Sequence, residues 1–282
     1  MKFAETLKNG LSTSYFGRLD RTVFDACAAA GIQSVELSHT YGHYMNELDF
    51  PRTAASFGRA ARDAGVEVWS LHLPFSGLLD ISSPDEAYRQ VTMYTHRTLI
   101  RAAAEAGARV AVLHPSAEPI ADDVRAEHLA RSREGIAQLA LDAAACGVAL
   151  AVENLPRTCL CRRSGEMAGL LRGTGAYAVF DTNHALDEDN IHFIDALTEN
   201  GVRIASLHIS DYGPDAAGVL NERHRLPGDG INRWNELLAA LERHGYTGPL
   251  MYENSRIPRD RSSAILLPNI AANMRALAAG EL

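Results

Sequence analysis

Cysteine is scarce in this chain. Four among 282 residues are too few for a disulfide framework in a protein of this size. Cys27 and Cys146 fall in alanine-rich helical stretches and read as small apolar residues. Cys159 and Cys161 follow directly on the apolar run LAVEN and read as loop thiols. No run of 18 apolar residues occurs, so no transmembrane helix is expected. The opening segment MKFAETLKNG has no apolar signal core, which makes the cytoplasm the expected compartment. No Pro- or Ser-rich linker divides the chain, and residues 1–282 are expected to form one domain. A glycine-rich phosphate loop after the first strand and a dinucleotide fingerprint are both lacking, so no organic cofactor is expected. Basic residues are in the minority, 27 Lys and Arg against 35 Asp and Glu, for a formal net charge of −8. That balance disfavours a nucleic-acid surface, although a local basic groove can exist on an acidic protein.

What the chain does contain is a core and a rhythm. Apolar residues make up 46% of it, ample for a sizeable interior. Short apolar runs at 12–16, 32–38, 66–73, 109–114, 148–154, 176–181, 202–209 and 249–254 read as strands buried on both faces of a parallel sheet. Helical stretches at 19–30, 52–64, 84–106, 123–146, 187–200 and 231–244 separate most of them. Each stops at a glycine: Gly31, Gly65, Gly107, Gly147, Gly201 and Gly245. Pro84 fits a first helical position. Eight such units in 282 residues predict an α/β protein, a (β/α)8 TIM barrel. An open doubly wound sheet is the alternative, and the missing phosphate loop argues against it.

Six of the runs end in residues that bind metals or move protons. They are His72, His114, Glu153, Asp181 (with His184), His208 and Glu253, spaced 27 to 45 residues apart. A lone His at a strand end is commonly a hydrogen-bonded structural residue. Six ionisable groups at equivalent positions are not explained that way, because unpaired charge at the end of a buried strand costs several kcal/mol. A cation where the strands converge would offset that cost, and the C-terminal strand ends of a barrel do converge. Glu153, Asp181, His208 and Glu253 form a hard, mostly oxygen donor set. It suits Mn²⁺ or Zn²⁺, with Mg²⁺ and Co²⁺ as further options.

Particular stretches make the pattern more specific: LHLPFSGLLDISSPDEAYR (71–89), VLHPS (112–116), AVENLP (151–156), FDTNHA (180–185), LHISDY (207–212), HRLPGDGINRWNELLAALERHGYTGPL (224–250) and YEN (252–254). From about residue 30 to 255 the chain resembles the xylose isomerase-like barrels, which include sugar isomerases and epimerases, inosose dehydratases and the endonuclease IV group. Likeness to the ketose 3-epimerases implies that Glu153, Asp181, His208 and Glu253 hold one divalent ion. The two glutamates then double as acid and base in moving a proton beside a carbonyl through an enediolate on the metal. It implies a substrate hydroxyl contact for His184. His224 stands where those epimerases carry a substrate-binding arginine, a role Arg223 or Arg225 can substitute.

Likeness to endonuclease IV implies a second arrangement. Three zinc ions would lie on His72, His114, Glu153, Asp181, His184, His208, Glu222, His224 and Glu253, with Glu222 in place of that family's aspartate. Such a centre would hydrolyse a phosphodiester at an abasic DNA site. The acidic composition and the lack of basic loops with interleaved aromatics speak against it. An inosose dehydratase-like lyase and a non-catalytic binding barrel complete the alternatives. Further substrate contacts are expected from Glu36 and His39 at the second strand end, with Tyr41 and His43 beyond them. Arg157 is a candidate for a substrate phosphate or carboxylate. Trp69 reads as core, Trp234 as packing its helix onto the barrel, and 211–223 as a loop able to close over substrate. The expected partner is a small-molecule sugar, the composition permits a homo-oligomer, and no membrane contact is expected.

Overall fold

The computed structural model describes all residues except 1, 17–18, 39–49 and 258–262. In chain order the elements are α1 (Phe3–Thr6), β1 (Asn9–Ser12), a 3₁₀ turn (Thr13–Phe16), α2 (Arg21–Ala29), β2 (Ser34–Ser38), α3 (Phe50–Asp63), β3 (Glu67–His72) and α4 (Glu86–Ala106). Then follow β4 (Val110–Leu113), α5 (Arg125–Ala145), β5 (Ala149–Glu153), α6 (Ser164–Leu171), β6 (Tyr177–Asp181), α7 (Asn190–Glu199) and β7 (Ile204–His208). The chain ends with β8 (Asp211–Pro214), β9 (Leu220–Arg225), α8 (Trp234–Arg243), β10 (Leu250–Tyr252) and α9 (Leu267–Ala279). Strands β1 to β7 and β10 pair in parallel in the order β10-β1-β2-β3-β4-β5-β6-β7. The ring closes just past β7, where the Ile209 amide donates to the Met251 carbonyl at 2.8 Å and the Glu253 amide to the Ile209 carbonyl at 3.1 Å. This is the (β/α)8 barrel that the alternation predicts.

Period-two alternation sorts the strand residues. In β4, Ala111 and Leu113 face the helices, whereas Val110 and Val112 face the barrel axis. In β5 and β6 the outer residues are Leu150, Val152, Ala178 and Phe180, and the inner ones Ala149, Ala151, Tyr177 and Val179. The next inward positions are His114, Glu153 and Asp181, so their side chains emerge at the C-terminal mouth. Trp69 packs against the lower inner layer, as its place within a strand predicts. The main core lies between barrel and helices, where Leu11, Leu37, Leu71, Phe24, Phe180 and Phe193 are fully buried. Each such side chain stabilises the fold by about 1.5–3 kcal/mol.

Several boundaries differ from the sequence expectation. The first strand ends at Ser12, and 13–16 is a 3₁₀ turn. Helix α4 begins two residues later than a first-position Pro84 requires: Asp85 is its N-cap, accepting the amides of Ala87 and Tyr88, and Pro84 precedes it. Segment 211–223 is not an open loop but most of the antiparallel hairpin β8–β9. Three helices, α1, α6 and α9, lie outside the expected set. SGEMAGLL is only 8 residues, carries two glycines and is largely buried, so it shows no amphipathic stripe. Among the described residues no helix is long and apolar enough to cross a membrane.

The Gly-Asp-Gly stretch shapes the rim beside β7. Buried Asp211 accepts the Gly228 amide at 2.9 Å, the Asn232 amide at 3.1 Å and the Trp234 indole N–H at 3.0 Å. A Cβ on Gly230 would stand 2.3 Å from the Tyr212 carbonyl oxygen, so only glycine fits there. Trp234 thus both packs α8 against the barrel and ties the loop to the hairpin.

Candidate metal centre

Glu153 is the hub of the mouth. Its side chain is 1% exposed, and each oxygen meets two imidazoles. Oε2 lies 3.2 Å from Nε2 of His72 and 3.2 Å from Nε2 of His114. Oε1 lies 3.2 Å from Nδ1 of His184 and 3.2 Å from Nδ1 of His208. Asp181 Oδ2 is 3.3 Å from His184 Nδ1, and Glu253 Oε2 is 3.5 Å from His208 Nδ1. The donors fall into three groups, each with its atoms within 4.8 Å of one another: His72, Glu153 and His208; Glu153, Asp181, His208 and Glu253; and His184, Glu222 and His224. The tetrad from the four strand ends is thus brought together. Asp181 Oδ2 and His208 Nδ1 are buried without a hydrogen bond of good geometry among the described residues, the condition in which a cation would satisfy them.

The electrostatics follow from burying so many charges in one place. Burial alone would raise the Glu153 carboxyl, but His208 and His114 hold it well below the usual carboxylate range. Asp181 goes the other way: burial, reinforced by Glu253 and Glu153, pushes it well above that range. Burial opposes charge on His184, yet Asp181 and Glu153 override it and move its imidazole up to about 10. His208 is likewise raised against burial by Glu36, Glu253 and Glu153. Burial keeps His114 below its ordinary value. Without metal, the surrounding imidazoles favour the ionised form of Glu153, whereas burial and the neighbouring carboxylates disfavour charge on Asp181.

The centre is framed by asparagines whose role sequence reasoning missed. Asn154 and Asp181 bond reciprocally: the Asn154 amide donates to the Asp181 carbonyl at 3.0 Å, and the Asp181 amide to Asn154 Oδ1 at 2.7 Å. Asn254 Nδ2 donates to the carbonyls of His224 and Arg225, both at 2.8 Å. Asn183 Oδ1 accepts the backbone amides of Arg223 and His224. The signal was present as a repeat: both LAVEN and LMYEN end in Glu-Asn. His224 is held at φ 47°, the left-handed region that a non-glycine residue occupies only when its surroundings impose it.

A cavity of about 210 Å³ opens above these groups, with His72, His114, His184, Glu222, His224 and Glu253 on its wall. Phe75 covers His114, their ring centroids 3.7 Å apart and the planes at 21°. Other expected contacts sit differently. Glu36 is fully buried and does not line the cavity; it lies behind His208. His39, Tyr41 and His43 fall outside the described residues. Arg157 lines the cavity, but its guanidinium is engaged by two carboxylates, Glu118 at 2.9 Å and Glu222. It is therefore not a bare charge waiting for a substrate phosphate. Arg223 and Arg225 are not on the wall. Cys159 reaches the wall, its thiol pushed up to about 12 by burial, and it joins none of the three donor groups.

Fold and site together define a (β/α)8 barrel with a histidine–carboxylate centre at the C-terminal ends of its strands. Residues 24–274 match the family model described as xylose isomerase-like TIM barrel, and the chain belongs to that family. A curated relative, an uncharacterized protein of Methanocaldococcus jannaschii, is 26% identical over 194 residues, 66% of this chain and 64% of that protein. The match thus spans less than two thirds of the relative's length. Among solved structures, a D-tagatose 3-epimerase-like protein superposes with a TM-score of 0.80 at 21% identity, covering 97% of this chain and 96% of its own. D-psicose 3-epimerase, solved in the presence of D-fructose, gives 0.76 at 20% identity, with 98% of each chain covered. The IolI protein with a bound zinc atom gives 0.77 at 15% identity, with 97% of each covered. At these identities the likeness is one of fold.

Proposed function

We propose that this chain is a divalent-metal-dependent isomerase or epimerase of a small sugar or sugar derivative. The observation that carries the reading is the convergence of Glu153, Asp181, His208 and Glu253 at the base of a cavity of about 210 Å³. Three carboxylates and one imidazole suit a hard or borderline divalent ion, and Asp181 Oδ2 and His208 Nδ1 lack a hydrogen bond of good geometry among the described residues. Such an ion, when bound, would polarise a substrate carbonyl and favour loss of the neighbouring C–H proton. Glu253 keeps 20% of its side chain exposed, against 1% for Glu153. It is the carboxylate better placed to take a proton from carbon. Glu153, whose Oε1 meets the same His208 Nδ1, is assigned the partner role of returning one. His184 and His224 stand on the cavity wall as hydroxyl contacts. The sugar 3-epimerases and zinc-bound IolI among the similar structures support the same chemistry.

A second reading is favoured by one specific observation. The nine side chains that the endonuclease IV likeness selects all enter the three donor groups or border them, and Glu153 turns one oxygen toward each of two groups. A polynuclear centre hydrolysing a phosphodiester would use that arrangement. Against it, Arg157 already takes an oxygen of Glu222. Metal content and identity per chain, on protein purified without chelator, separates the two. The paired assay is metal-dependent exchange of a sugar α-proton with solvent deuterium across a broad sugar panel. One ion with exchange supports the epimerase reading; several ions without exchange overturn it in favour of the second. A lyase would also exchange, and analysis of the product for loss of water identifies it.

A further inference from the structure

Glu36 is a costly residue in its position. It sits in the middle of β2, fully buried, and reaches into the barrel interior below the cavity. A register shift in β2 between Val35 and Glu36 sets it opposite Ser70 of β3. Ser70 Oγ donates to its Oε2 at 2.8 Å. The same Oε2 meets Nε2 of His208, from the far side of the barrel, at 3.1 Å. Its other oxygen, Oε1, is buried without a hydrogen-bond partner among the described residues. A half-satisfied buried carboxylate destabilises a fold relative to an apolar residue of similar size, so packing does not account for it.

The consequence of that contact falls on His208. A neutral imidazole that donates its Nε2–H to a carboxylate presents Nδ1 as a lone pair and has its ring plane fixed. Nδ1 of His208 is the atom that lies 3.2 Å from Glu153 and 3.5 Å from Glu253. We infer that Glu36 is a positioning residue that acts through His208, selecting the tautomer and ring orientation that turn Nδ1 toward the ion. Glu36 itself touches neither ion nor substrate. The inference rests on the metal reading of the site and goes beyond it in assigning a residue outside both the donor groups and the cavity wall.

The test is a double-mutant cycle on metal affinity, with no substrate involved. Metal-free protein is titrated with Zn²⁺ and with Mn²⁺ against a chromophoric chelator. Glu36→Gln, which keeps shape but removes the charge, is expected to weaken binding about 10- to 100-fold. In a His208→Gln background the same change is expected to cost nothing further. Glu36→Asp, which keeps the charge but withdraws it by one carbon, is expected to weaken binding in the same way and serves if the Gln variant does not fold. In the zinc-loaded wild type, long-range ¹H–¹⁵N spectra are expected to show the His208 proton on Nε2. Wild-type affinity in both variants, an equal loss with and without His208, or a proton on Nδ1 overturns the inference. If the unmodified protein binds neither ion, the metal reading itself has failed, which is a separate result.

Discussion

The side-chain carbonyl of Asn183 accepts the backbone amide of His224 at 3.3 Å, binding the β8–β9 hairpin to the turn that follows Asp181. One residue thereby couples two parts of the site, since His184 and Asp181 flank it and Glu222 and His224 lie on the hairpin. Asn183→Ala removes this acceptor and that of the Arg223 amide. The barrel is expected to stay folded by circular dichroism while KM rises, because the hairpin no longer holds His224 in its left-handed conformation. An unchanged KM would show that Asn254 alone suffices.

Glu253→Gln tests the proposed base. The amide cannot take a proton from carbon, so turnover is expected to fall by about 10²–10⁴-fold, with the fold intact. α-Proton exchange with solvent is the direct measurement. Full exchange activity in this variant would remove Glu253 from the chemistry.

His72→Ala combined with His114→Ala distinguishes the metal models. Both imidazoles meet the same oxygen, Oε2 of Glu153, at 3.2 Å. If they hold a second ion, metal bound per chain falls. If they only line the cavity, metal content holds and KM rises. Elemental analysis beside steady-state kinetics reads both.

The protonation of His184 predicts a pH response of the metal-free protein. Its imidazole moves from 6.5 up to about 10 on folding. A raised folded-state value means the stabilisation is complete below pH 6.5 and is lost as the pH climbs toward 10. The melting temperature of metal-free protein is expected to decline over that window, with a smaller decline in His184→Gln. A metal ion held by His184 must displace the same proton, so its affinity is expected to rise with pH and proton release to appear in calorimetry across buffers.

Gly230→Ala is expected to destabilise the fold by about 1–3 kcal/mol or more through overpacking. The new methyl would stand 2.5 Å from Asp211 Oδ1, inside the bonds that tie loop, hairpin and Trp234. Gly213→Ala is the control, since nothing lies within 4 Å of a Cβ there. Denaturant unfolding of both variants measures the difference, and equal costs would argue against the close packing.

Much of the fold was legible because barrel strands and helices are local objects. Runs such as VAVLH and LAVEN are continuously apolar, as strands buried on both faces of a sheet are, and glycines mark the helix ends. The misplaced parts had no local signal. Helix α6 is short, and its exposed side is formed mostly by glycines; the hairpin β8–β9 is polar and glycine-containing, and Ser12 is a strand end only because of its pairing with β2.

The sequence by itself determined which residue types stand at the strand ends. A barrel delivers every such end to one face, so Glu153, Asp181, His208 and Glu253 could be grouped before any coordinates were known. Only the tertiary structure decided how they divide the work. Glu153 meets four imidazoles, Arg157 is claimed by two carboxylates, and Glu36 stands behind His208 rather than on the cavity wall. Those relationships join residues from 31 positions apart, Glu153 and His184, to 172 apart, Glu36 and His208. Hydrogen bonds over such separations depend on how strands are registered and side chains packed across the barrel, which no local pattern in the chain encodes.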